Sequence, residues 1–174
     1  MIQKTPWTQR KFNFDFPVSN FPFIFTRLQG TPARIEELVR DLTKEQLESK
    51  PSGKWSIKEH IGHLADLEEL HSGRLLDYKN GTAVLRPAVM TNLKTNEALH
   101  NKTDLDTLLR NLRKVRNEFL EAIEPLNEAE LSVTALHPRL QQQMRLIDMA
   151  YFVAEHDDHH LTIINELKRE LPNN

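Results

Sequence analysis

From Thr31 onward, apolar residues recur at the three-and-four spacing of amphipathic helices, and the pattern predicts four long ones. The first opens on Thr31 as a cap, with Pro32 in the first helical position, and carries Ile35, Leu38, Val39 and Leu42 on one face. Thr43 and Gln46, at capping-box spacing, mark a short turn before the loop Pro51-Ser52-Gly53. A stronger start follows. Ser56 and Glu59 have capping-box spacing and Trp55 stands at the staple position. The second helix then runs through Ile57, Ile61, Leu64, Leu67, Leu70 and Leu75 to Asn80-Gly81. Residues 82–102 read as a long connection with at most short helix. A third helix opens at Thr103-Asp104, shows Leu105, Leu108, Leu112, Val115, Phe119 and Ile123, and closes near Pro125. His137-Pro138 marks a loop. The last helix is expected from about Gln141 to Leu171, with Leu146, Met149, Val153, Leu161, Ile164 and Leu167 inward.

The segment before Thr31 is different. Phe12, Phe14, Phe16, Phe21, Phe23 and Phe25 alternate, but Pro17 and Pro22 interrupt the run. Proline inside an alternating stretch demotes it to an edge strand or arm. Residues 1–30 are therefore expected as an extended aromatic arm lying over its own domain or a partner subunit, and residues 31–174 as an all-α four-helix bundle.

Composition narrows the chemistry. The chain has 174 residues with a formal net charge of -2, which gives no global pull toward nucleic acid or anionic membrane. Arg110, Arg113, Lys114 and Arg116 are followed by Glu118, Glu121 and Glu124 and read as a solvated helix face. No apolar run approaches the ~20 residues of a membrane span, and Met1 to Lys11 lacks a signal-peptide core, so a cytoplasmic protein is expected. There is no cysteine, which removes disulfides, thiolate ligands and a cysteine nucleophile. Histidine is over-used instead, at 8 residues against 5 glycines.

On the last helix, Glu155-His156-Asp157-Asp158-His159-His160 places His156 and His160 one turn apart on one side, where two imidazoles can grip one ion. The pair also reads as hydrogen-bonded filler of a helix face. His159 falls toward the edge of the apolar arc. A third ligand would come from the second helix, where His60, His63 and His71 all lie near the apolar arc and periodicity does not choose among them. Asp66, one turn from His63, is the leading carboxylate, either as an acceptor that orients a ligand or as a base, with Glu59 and Asp157 behind it. Asp157 and Asp158 also read as exposed charges. Trp7 and Trp55 read as packing residues, while His100 and His137, in loops, could line the mouth of a site.

Lys54-Trp55-Ser56-Ile57-Lys58-Glu59-His60-Ile61-Gly62-His63-Leu64-Ala65-Asp66 resembles the first metal motif of the DinB-like superfamily, and more closely of its YfiT-like metal-dependent hydrolase branch. The stretch from Leu146 to His160 resembles the second motif, and Arg27-Leu28-Gln29-Gly30-Thr31-Pro32-Ala33-Arg34 is similar to the same branch. The resemblance implies metal ligands at His63, His156 and His160, an up-down-down-up bundle, a homodimer, and a divalent transition metal such as zinc or nickel. It implies an enzyme acting on a small molecule, foremost a hydrolase using water activated at the three-histidine site. A metal-dependent thiol S-transferase of the bacillithiol or mycothiol type is the alternative. A third reading is a non-catalytic metal-binding dimer.

Overall fold

The structure, a computed structural model, describes residues 4–170. Four long helices dominate it: α1 (Phe21–Val39), α3 (Ile57–Lys79), α5 (Leu105–Ile123) and α7 (Leu146–Glu170). Between them lie short helices α2 (Lys44–Glu48), α4 (Leu93–Glu97) and α6 (Glu128–Leu131) and an antiparallel hairpin of β1 (Thr134–His137) and β2 (Gln142–Arg145). The capping box at Ser56 and Glu59 is formed, and the Trp55 ring packs against His60 at the fourth helical position, 5.5 Å between centroids.

Side-chain pairs between the helices fix their directions. Thr31 bonds Asp157 and Lys168 bonds the Leu38 carbonyl, so α1 and α7 run parallel. Lys58 bonds the Asn101 carbonyl just ahead of α5, and Glu68 meets Arg116, so α3 and α5 are parallel too. His60 meets His160 while Tyr78 reaches the Met144 carbonyl, which makes α3 and α7 antiparallel. The order is up-down-down-up. The connection from Lys79 to Leu105 is long because it must return the chain to the same end of the bundle before α5 begins.

Two expected boundaries move. α1 starts at Phe21, ten residues before Thr31, so a division at residue 30 would cut through the helix. Pro22 sits in the first turn, where a missing N–H costs nothing, and Phe21 and Phe25 pack at helical spacing, 5.9 Å apart. Pro32 is then interior and leaves the Leu28 carbonyl without its helical donor, a role Arg116 Nη1 fills at 3.3 Å. The arm is correspondingly shorter and lies on its own domain: Phe12 packs on Phe152 and Phe16 on Tyr151. α7 starts at Leu146 rather than Gln141, because Gln142–Arg145 pairs with Thr134–His137 and buries Met144. Cross-strand pairing there overrides the helical propensity of a glutamine-rich stretch. Residues 1–3 and Leu171 to Asn174 lie outside the described residues.

The core falls into two apolar clusters. One joins the arm, the hairpin and the first half of α7; the other joins the ends of α1 and α7 to the starts of α3 and α5. A polar layer separates them. At its centre Arg116, with 0% exposure, donates from Nε to Glu68 at 2.6 Å and from Nη2 to Asp157 at 3.0 Å. Arg116 therefore does not belong to the solvated basic face, and Asp157, also 0% exposed, is not a surface charge. A buried carboxylate on α7 facing a buried guanidinium on α5 is held by their mutual attraction, since either alone would be costly to desolvate. Replacing Arg116 by Met should destabilise the protein by about 3–5 kcal/mol in urea unfolding, because two buried carboxylates lose their partner. Arg113→Gln, which removes only an exposed pair with Glu36, should cost less than about 1 kcal/mol.

Candidate metal centre

Burying two faces of antiparallel helices against each other brings His63 of α3 opposite His156 and His160 of α7. One ligand nitrogen from each lies within 4.8 Å of the others. The ring centroids of His156 and His160 are 4.5 Å apart, and those of His63 and His160 4.8 Å. His63 and His160 are buried, and His156 is partly so. His71 is not part of this group: it lies between Glu68 and Phe119.

The donor set suits a divalent transition ion. Burial drives the His63 imidazole down to about 4, helped by the neighbouring His60, and pushes His156 and His160 well below the ordinary histidine value. All three are thus neutral near pH 7, as ligation requires. His156 Nε2 and His160 Nε2 face each other at 3.2 Å, while His156 Nδ1 is buried without a hydrogen-bond partner. Whichever nitrogen of His156 carries the proton, one ring nitrogen is left unsatisfied. For the His156–His160 pair that separation is about what two imidazole nitrogens sharing one ion would adopt.

Two of the three imidazoles are oriented from behind. His63 Nδ1 meets Thr95 Oγ1 at 3.0 Å, and Thr95 donates its only hydroxyl proton to Asp66 at 2.9 Å. Thr95 must then accept from His63 Nδ1–H, which leaves the Nε2 lone pair free. Asp66 also bonds His100 Nε2 at 2.9 Å. Burial pushes the Asp66 carboxyl up, but the bonds from His100 and Thr95 outweigh it and hold the carboxyl below its ordinary value. His100 can come this close because Gly62 has no Cβ, which would stand 2.3 Å from its ring. On the other side, His160 Nδ1 meets His60 Nδ1 at 2.8 Å.

Sequence spacing marks Asp66 and His60 but not Thr95, which reaches the site from α4 in the long connection and carries no motif. The histidines open onto a cavity of about 480 Å³, walled by Trp7, Trp55 and Phe152 and reached by His137, Arg74 and Arg139. Trp7 and Trp55 are therefore cavity walls as well as packing residues. His137 lines the cavity as anticipated, whereas His100 serves Asp66 behind it. Asp66 does not line the cavity, and Glu59 is engaged in its capping box.

This fold and site define the class. The chain belongs to the DinB superfamily, whose family model matches residues 27–164. It is similar in structure to YfiT from Bacillus subtilis, described as "a probable metal-dependent hydrolase with an unusual four-helix bundle topology", with a TM-score of 0.74 and 22% identity over 92% of each chain. At that identity the likeness bears on the fold. No curated protein matches the chain. Among the described residues, no helix is long and apolar enough to cross a membrane.

Two outcomes follow from the geometry. Thr95→Val should weaken metal binding about 10–100-fold in competition with a chelator, because it frees the His63 ring while sparing the ligands. In metal-free protein, His60, His63 and His137 are each held down to about 4 by burial against 6.5 when unfolded. The unfolded chain then takes up protons first, so their contribution to stability is complete above pH 6.5 and is lost as pH falls toward about 4. Each histidine adds up to about 1.4 kcal/mol per pH unit to that slope, and urea unfolding of His137→Gln across the window should show a shallower fall than wild type.

Proposed function

We propose that this protein is a metal-dependent hydrolase of a small molecule, using a divalent transition ion, zinc or nickel, held by His63, His156 and His160. The observation that carries this reading is the convergence of three neutral imidazoles, two buried and one half-buried, on the wall of a partly open cavity. Three protein ligands are the number that catalytic zinc sites use, and they leave a coordination position for chemistry. When bound, such an ion supplies Lewis acidity that polarises a substrate oxygen and eases ionisation of water.

The chain's own residues supply position and proton handling. Thr95, with Asp66 and His100 behind it, fixes the His63 ring, and His60 fixes His160. Asp66 is accordingly an orienting residue rather than a base. Trp7, Trp55 and Phe152 exclude bulk water from the wall of the cavity. His159 lines the same cavity, packs beside Trp7 and His160, and makes no hydrogen bond to the described residues. Burial lowers its imidazole below the ordinary value, so near neutral pH it offers a free base to accept a proton from a reacting group and return it.

Protein purified without a histidine tag should carry about one equivalent of metal by elemental analysis, and His63→Ala, His156→Ala and His160→Ala should each retain less than about a tenth. Loaded protein should hydrolyse members of a panel of small esters and amides, with the activity lost in the same three variants. His159→Gln should keep its metal and lose most of the turnover. Conjugation of a bacillithiol- or mycothiol-type thiol to an electrophile, with esters and amides untouched, would instead identify a thiol S-transferase. Metal binding with neither activity would leave a non-catalytic metal-binding protein.

A further inference from the structure

The cavity has a second pole, built from groups the histidine site does not use. Arg74 of α3 is only 3% exposed. Its Nε donates to the Arg86 carbonyl at 3.1 Å, the one hydrogen bond its guanidinium makes among the described residues. Arg139, in the turn between β1 and β2, has Nη2 buried without a partner and lies over the rings of Trp7 and Phe152, 5.9 and 5.7 Å from their centroids. His137, 2% exposed, accepts the Leu140 amide on Nδ1 at 3.2 Å. That acceptor role places the neutral ring's proton on Nε2, which is buried and also without a partner. All three side chains line the cavity.

What is missing is an acid. Neither guanidinium forms an ion pair with a carboxylate of the described residues, and the nearest acid along the helix, Asp77, is held by Arg86 through both oxygens. Burial lowers Arg74 to about 10 and lowers Arg139 as well, and Arg139 adds to the effect on Arg74. Both guanidinium groups remain charged near neutral pH. A buried guanidinium and a half-buried one, with an unfilled N–H beside them, are unfavourable unless a ligand completes them. The arginine fork and a neutral N–H together match the planar oxygens of a carboxylate or the oxygens of a phosphate.

We infer that the substrate of this cavity is anionic, and that its carboxylate or phosphate group lodges between Arg74, Arg139 and the Nε2–H of His137. Which end of that substrate reacts rests on the proposed hydrolase reading. The binding of the anion does not. Trp7 and Phe152 stack on Arg139 and also stand beside the histidines, with the Trp7 ring 4.9 Å from that of His156. The anion would therefore anchor one end of a small molecule whose other end reaches the triad.

The test uses chelator-treated, metal-free full-length protein, so that no anion can bind through an ion. Arginine Nε–H and histidine ring resonances are followed by NMR during titration with succinate, with inorganic phosphate, and with the uncharged succinamide, at constant ionic strength. The expected result is saturable shifts at Arg74 and Arg139 with succinate or phosphate, the stronger naming the group, and none with succinamide. Arg139→Gln, in the hairpin turn rather than on a bundle helix and so least disruptive to folding, should weaken binding at least about tenfold. His63→Ala should leave anion affinity within about twofold while abolishing metal uptake, which separates failure of this inference from failure of the metal reading. Equal shifts with succinamide, no saturable shift with either anion, unchanged affinity in Arg139→Gln, or loss of anion binding in His63→Ala would each overturn the proposal.

Discussion

A single guanidinium with no exposed surface touches all four helices. Arg116 projects from α5 to Glu68 on α3, to Asp157 on α7 and to the Leu28 carbonyl that Pro32 strands on α1. Desolvating three charges in one place is tolerable only if every pairing is made at once, so the layer admits one arrangement of the helices. Asp157 follows His156 directly and precedes His160 by three residues. Turning Asp157 toward Arg116 therefore turns both histidines toward α3, where Glu68 lies five residues beyond His63. Thr31 adds a bond to Asp157 at 2.7 Å and ties α1 to the same rotation of α7. The ion-pair layer aims the imidazoles.

The separation of labour around the histidines has the same logic. Imidazoles on long helices are placed by the packing of the bundle, but a ring can still spin about its last bond. Thr95 and His60 stop that rotation for His63 and His160, respectively. Thr95 comes from the connection made long by two parallel helices, so the unusual chain path supplies a hydrogen-bond partner that a short antiparallel turn would not. Gly62 completes the arrangement by letting His100 approach α3 closely enough to hold Asp66.

Much of this could be read from residues alone, and the reasons for the remainder are specific. The capping box at Ser56, the apolar stripes of α3, α5 and α7 and the one-turn spacing of His156 and His160 are local, and local patterns survive folding. Choosing His63 over His60 and His71 needed the resemblance of a motif, because all three lie near one apolar arc. The start of α1 is not legible because Pro32 carries a good starting signal, and only Arg116, distant in sequence, makes it acceptable inside a helix. β2 was hidden because Gln142–Arg145 has no strand propensity without β1 beside it. Arg116 and Asp157 sit in runs of charge that read as surface, and nothing local distinguishes the one member of each run that turns inward.

The cavity's two poles differ in how they are held. The histidines stand on helices braced by the ion-pair layer, where small displacements would spoil ligation. Arg139 and His137 stand on the hairpin, a two-stranded element propped on α7 and the single bridge between Val84 and Leu136. A hairpin of that size can change its turn without disturbing the bundle. The aromatic arm joins the two: Trp7 lies against His156 on one side and beneath Arg139 on the other. Its packing through Phe12 onto Phe152 therefore holds the Trp7 ring in the cavity wall between the charged pole and the histidines.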